Sequence, residues 1–167
     1  MPPHVKLKGS EFFTHYAAAV FLLAPTIAAI FSLATHDYGL SAIPAMRIFC
    51  ACTLMASMFV AWLQTRALRF RVIETSEDAH VNYEKVMDAI AKTDWRISQH
   101  HLDSRIVSEV PGAGSWGERV DVRFHGTNVY VNSICDPSKR AQLIAFGDNL
   151  SNIAYIRCAV TGMPAVR

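Results

Sequence analysis

The side chains able to do chemistry in this sequence gather after residue 95. His101 and Asp103 lie two apart at the end of an alternating run, WRISQHHL. Residues two apart on a strand share a face, and His125, in a second alternating run, can join them across a sheet. Two imidazoles and a carboxylate converging this way would make a three-ligand metal or small-ligand site. The plainer alternative is solvent-exposed histidines at a strand end, since the adjacent His100 must face the other way. Cys135 stands just before Asp136-Pro137, and a thiol near a helix N-terminus can be activated. Its only nearby base is His125, which gives a candidate Cys–His pair. Against that, Asp136 reads as an N-cap, Pro137 as the first helical residue and Cys135 as a packing residue.

The four cysteines, Cys50, Cys52, Cys135 and Cys158, form no C-x-x-C, and they read as free, buried thiols of a reducing compartment. The stretch PGAGSWG, 111–117, is glycine-rich but lacks G-K-[ST] and precedes a strand, so it is not a phosphate loop. Its Trp116 suits contact with a bilayer or a partner, or packing back on the sheet edge. Asn149 and Asn152 lie three apart after Gly147 and share one helix face, as caps, strand-end ties or ligand contacts. No complete catalytic constellation emerges, and no cofactor or metal is expected.

The elements that must position these residues divide at about residue 66. Before it the chain is nearly uncharged; from Arg66 onward it carries 13 Lys and Arg against 12 Asp and Glu. So sharp a shift marks a boundary between two solvents. Phe12 to Thr35 contains no Asp, Glu, Lys or Arg, and at about 1.5 Å per residue it can cross a hydrocarbon core of roughly 30 Å. Pro25 falls mid-span and should kink it. Ser41 to Gln64 is the second span. Its one charge, Arg47, lies within two turns of the outer end, where it can snorkel or meet a partner. Small residues such as Thr53 and Ser57 permit close helix packing. Lys6 and Lys8 before the first span, and Arg66, Arg69 and Arg71 after the second, place both termini in the cytoplasm by the positive-inside rule. The lack of intramembrane Asp or Glu and the presence of only two helices argue against transport by this chain alone and leave open a role inside a larger assembly.

After the hairpin, 1–66, the sequence predicts a cytoplasmic α+β domain over 67–160 and a tail over 161–167. A short strand at 69–73 leads to a helix capped at Ser76, with an apolar stripe through Tyr83, Val86, Met87, Ile90 and Ala91. Four strands follow at 95–102, 105–110, 118–125 and 128–134. Gly126-Thr127 forms a two-residue hairpin turn. Val120, Val122 and Phe124 face one side and Arg119, Asp121, Arg123 and His125 the other. A C-terminal helical region opens at Asp136-Pro137, tightens at Gly147 and resumes at Asp148 or Asn149. The order is β-α-β-β-β-β-α, an antiparallel meander with a helix on its apolar face. The near-neutral charge lacks the basic footprint of a nucleic-acid binder.

The run 129–153 resembles the end of small uncharacterised α+β domains of bacterial membrane-associated proteins. It matches their S-x-x-x-P and F-G-x-N-x-x-N pattern at Ser133, Pro137, Phe146, Gly147, Asn149 and Asn152. The resemblance implies a bacterial inner-membrane setting. Together these readings lead to an expected non-enzymatic accessory protein, anchored in the bilayer and docking onto a protein partner or a second copy of itself. A membrane-tethered sensor using His101, Asp103 and His125, and an enzyme using Cys135 and His125, are the alternatives.

Overall fold

A computed structural model describes residues 4–35, 42–111, 117–139 and 148–163. Two long helices come first, α1 (Gly9–Thr35) and α2 (Ala42–Ala67). Both are long and apolar enough to cross a membrane. They pack along small residues: Ala18, Ala19, Thr26, Ala29 and Ser57 are buried between them. Ser57 donates to the Ala19 carbonyl at 2.8 Å, and the hydroxyls of Thr26 and Thr53 meet at 2.5 Å. Where no hydrophobic force separates helix from lipid, such close contacts and hydrogen bonds hold a pair together. The outward surface is apolar, with Phe21, Phe31, Met55 and Phe59 all exposed. Cys52 also faces outward rather than into a core. Pro25 lies within an uninterrupted α1.

At the base of the pair His15 and Gln64 bond reciprocally. The imidazole Nε2–H donates to the Gln64 carbonyl at 3.0 Å, and the Gln64 amide donates to the His15 carbonyl at 2.6 Å. Three residues then separate α2 from the sheet.

The sheet has five strands in the order β1-β5-β4-β3-β2, all antiparallel: β1 (Arg71–Glu74), β2 (Arg96–His101), β3 (Arg105–Val110), β4 (Glu118–His125) and β5 (Asn128–Cys135). β2 to β5 form the meander that alternation predicts. β1 adds itself to the far side of β5, so helix α3 (Ala79–Ala91) crosses the sheet from one edge to the other. α3 begins two residues later than expected, because Asp78 rather than Ser76 is the cap and accepts from the Val81 amide at 2.9 Å. At the β4–β5 turn Gly126 takes φ +57°, which a side chain would resist.

α3 and α4 (Asp148–Thr161) cover one face of the sheet. Val120, Val122, Phe124, Val129 and Val131 meet Tyr83, Val86 and Ile90 of α3, and Ile153, Ile156 and Val160 of α4. Val86, Ile106 and Ile156 are fully buried, so truncating any of them to Ala should cost on the order of 2–4 kcal/mol. Ala91, expected on the apolar stripe of α3, faces outward. After Asp136 the described residues 137–139 form a turn rather than a helix. Asp136 still caps it, accepting from the Ser138 amide at 3.0 Å and hydroxyl at 2.8 Å.

Candidate functional site: a basic groove at the base of the hairpin

The second face of the sheet is polar, and the N-terminal segment partly covers it. Val5, Leu68 and Ile134 form a small core with Leu7 and Phe70. The Val5 amide donates to the Leu68 carbonyl at 2.9 Å, and His4 bridges to Arg69. Asn132, buried on β5, donates through its side-chain amide to the carbonyls of Ala67 at 2.8 Å and Arg69 at 2.9 Å. The first of these satisfies a carbonyl that the end of α2 leaves without an intrahelical partner.

Three arginines dominate this face. Arg105 and Arg123 stand directly opposite each other on β3 and β4. Two cations so placed repel. Asp121, only 2% exposed, lies on the same face and takes both of them. Arg105 forks onto its two carboxylate oxygens at 3.0 and 2.7 Å, and Arg123 does so at 3.3 and 3.1 Å. The Arg123 guanidinium also lies over the Phe70 ring, 4.5 Å from its centroid. Arg119 leaves the sheet altogether and donates to Glu11, at the start of α1, at 2.8 Å.

Between this face and the segment Val5–Lys8 runs an open groove of about 900 Å³. Lys6, Lys8, Arg105, Arg119, Arg123 and His101 line it, and Val5, Leu7 and Val107 give it an apolar floor. Its carboxylates are already engaged. Glu11 is held by Arg119, and Asp121, buried behind the lining, is held by two arginines. Lys139 serves both Glu109, at 2.7 Å, and Asp136, at 3.7 Å. The hydrogen bond that Lys139 donates to Glu109 leads the effects that raise the Lys139 pKa. The spare arginine on Asp121 is offset by the second carboxylate on Lys139, so it is Lys6 and Lys8 that leave the groove positive.

The three residues expected to form a ligand site do not converge. His101 lines the groove, but Asp103 turns to the other side of the sheet and bonds His80 of α3 at 2.8 Å. Asp103 sits in the β2–β3 turn at φ +55°, where the chain reverses and swings its side chain toward the helix layer. His125 is exposed at the C-terminal end of β4, two residues past Arg123 and two strands away from His101. Among the described residues no three His, Cys, Asp or Glu side chains come together as metal ligands do. The Cys135–His125 pair is likewise excluded. His125 lies beside Asn128 and Glu118 beside Cys135, so the thiol and imidazole occupy opposite ends of the hairpin, about 23 Å apart at roughly 3.3 Å per residue.

Three residues of the S-x-x-x-P and F-G-x-N-x-x-N pattern meet, Ser133, Asn149 and Asn152, while Phe146 lies outside the described residues. Ser133 donates to the Asn149 side chain at 3.0 Å, and the Asn152 amide donates to Ser133 at 3.2 Å and to Glu118. Glu118 is 3% exposed and Asn152 8%, so the cluster ties the start of α4 to the ends of β4 and β5. Pro137 is buried beside Asp136. Arg47 is exposed on the second turn of α2. Gly147 and Trp116, the expected helix break and contact residue, lie outside the described residues.

Arg105, Asp121, Arg123 and His80 were not singled out as site residues by spacing. The sign was there for the first three: alternate charges along a central strand need a polar surface opposite them. The chain matches no family model, no curated protein and no solved structure.

Proposed function

We propose that this protein is a non-enzymatic accessory protein of a bacterial inner membrane, with its hairpin in the bilayer, both termini cytoplasmic and its sheet held against the inner surface. One observation carries the reading: the sheet is fastened to the hairpin base by Asn132 and by the Arg119–Glu11 pair, while the outer surface of the helices is apolar between Arg47 near one end of α2 and Arg66 at the other. A rigid presentation of this kind serves docking, and the small-residue packing of the helices suits a subunit or assembly partner. The separation of Cys135 from His125 removes the one catalytic pair the sequence offered. The partner is a protein, a second copy or another chain, rather than a nucleic acid.

Crosslinking in native membranes, followed by identification of what is attached, tests this. A stoichiometric partner or a homo-oligomer is the expected result. A monomer in several mild detergents with nothing crosslinked would overturn it, as would a full-length chain left in the supernatant of lysed cells without detergent.

A further inference from the structure

We propose that the groove beneath the sheet binds the headgroup of an anionic phospholipid of the surrounding bilayer. The inference rests on the hairpin spanning the membrane, as proposed above, and goes beyond it in naming a ligand.

Position comes first. The groove reaches Glu11, one residue before the apolar stretch begins at Phe12. With Phe12 to Thr35 in hydrocarbon, Lys6 to Glu11 lie at the depth of the headgroups. Exposed Phe12, Phe13 and Trp62 mark the same level. The groove therefore opens onto lipid phosphates rather than onto bulk water.

Chemistry comes second. A lipid phosphate asks for several cationic donors fixed in place, with apolar surface beside them for the glycerol and the first acyl carbons. Asp121 fixes two guanidiniums side by side while neutralising one of them. Arg105 keeps its remaining Nη1 donor, and its side chain is 35% exposed. Lys6 and Lys8 line the same groove as Arg105 and Arg123, and among the described residues neither lysine side chain is in an ion pair. Val5, Leu7 and Val107 supply the apolar wall. A volume of about 900 Å³ exceeds what one phosphodiester headgroup fills.

The full chain, purified in a mild non-ionic detergent, is titrated with dioleoylphosphatidylglycerol or dioleoylphosphatidylcholine, and retained lipid is counted by native mass spectrometry. The anionic lipid should bind at about tenfold lower concentration than the zwitterionic one. Arg105→Gln leaves Asp121 paired with Arg123, and Lys6→Gln/Lys8→Gln breaks no ion pair among the described residues, so each should fold. Each should raise the half-saturating concentration about five- to tenfold. Arg47→Gln, on the second turn of α2, should leave it unchanged. Equal binding of both lipids, insensitivity to the two groove variants, or an equal loss in Arg47→Gln would each overturn the site. Displacement of the lipid by an equal concentration of inorganic phosphate would overturn its assignment to lipid. Failure of these titrations, with the chain still sedimenting with membranes, removes this inference and leaves the accessory reading standing.

Discussion

Arg119, in the middle of the sheet, holds Glu11, 108 residues earlier at the start of the first long helix, at 2.8 Å, with side-chain exposures of 18% and 15%. A contact so distant in sequence and so shielded from water joins the two halves of the molecule into one body. Breaking one partner of such a pair leaves the other charged and poorly solvated. Glu11→Gln should lower stability by about 1–3 kcal/mol and expose the segment before α1 to protease. Thermal unfolding of the full chain in micelles checks the first, and limited proteolysis the second. An unchanged digestion pattern would show that the pair holds nothing together.

Asp121 is the keystone of the polar face. Asp121→Asn leaves Arg105 and Arg123 opposed with no carboxylate between them, and should cost about 3 kcal/mol or more. Adding Arg105→Gln to Asp121→Asn removes the repulsion and should recover part of the loss. A double-mutant cycle on denaturant midpoints measures that coupling, and strict additivity would contradict it.

His80 and Asp103 give a pH signature. The Asp103 hydrogen bond raises the His80 pKa above its ordinary value of about 6.5. The folded value then lies above the unfolded one. The pair's contribution is therefore fully present below the unfolded pKa and is lost as pH rises through the folded pKa. NMR titration of the His80 ring should show the elevation, and Asp103→Asn should lower it toward the ordinary value. A His80 titration indifferent to Asp103→Asn would refute the bond.

Asn152 serves the buried Glu118 and Ser133 together. Asn152→Leu removes a donor from a carboxylate that water barely reaches, and should cost about 3 kcal/mol. Asn152→Leu with Glu118→Met should recover much of it, because two apolar groups of similar shape leave no charge behind. Urea unfolding of the single and double variants checks this.

The helix-covered side of the sheet is legible in the sequence because it is local. Val120, Val122 and Phe124 alternate within one strand, and Tyr83, Val86 and Ile90 repeat within one helix, so each pattern declares its own buried face. The hairpin is legible for the same reason, as length and lack of charge act within each span. The polar side of the sheet is not legible in this way. Its cover comes from residues 5–11, and neither Val5 nor Glu11 carries a mark that points to Ile134 or Arg119. The expected ligand trio failed on one backbone detail: at φ +55° Asp103 turns toward His80. Two-residue periodicity holds along a strand and says nothing beyond its end. The same limit hid the distance between Cys135 and His125, which only the pairing register reveals.

Only residues 68–70 lie between α2 and β1, and Asn132 grips the carbonyls at 67 and 69. There is no tether here on which the domain could swing away from the helix pair. Tilting the helix pair tilts the sheet by the same angle, and rotating it sweeps the same strand edge past the same neighbours. Whatever engages this domain must come up beside the helix pair and meet it at a fixed heading, as a key meets a lock set in a wall.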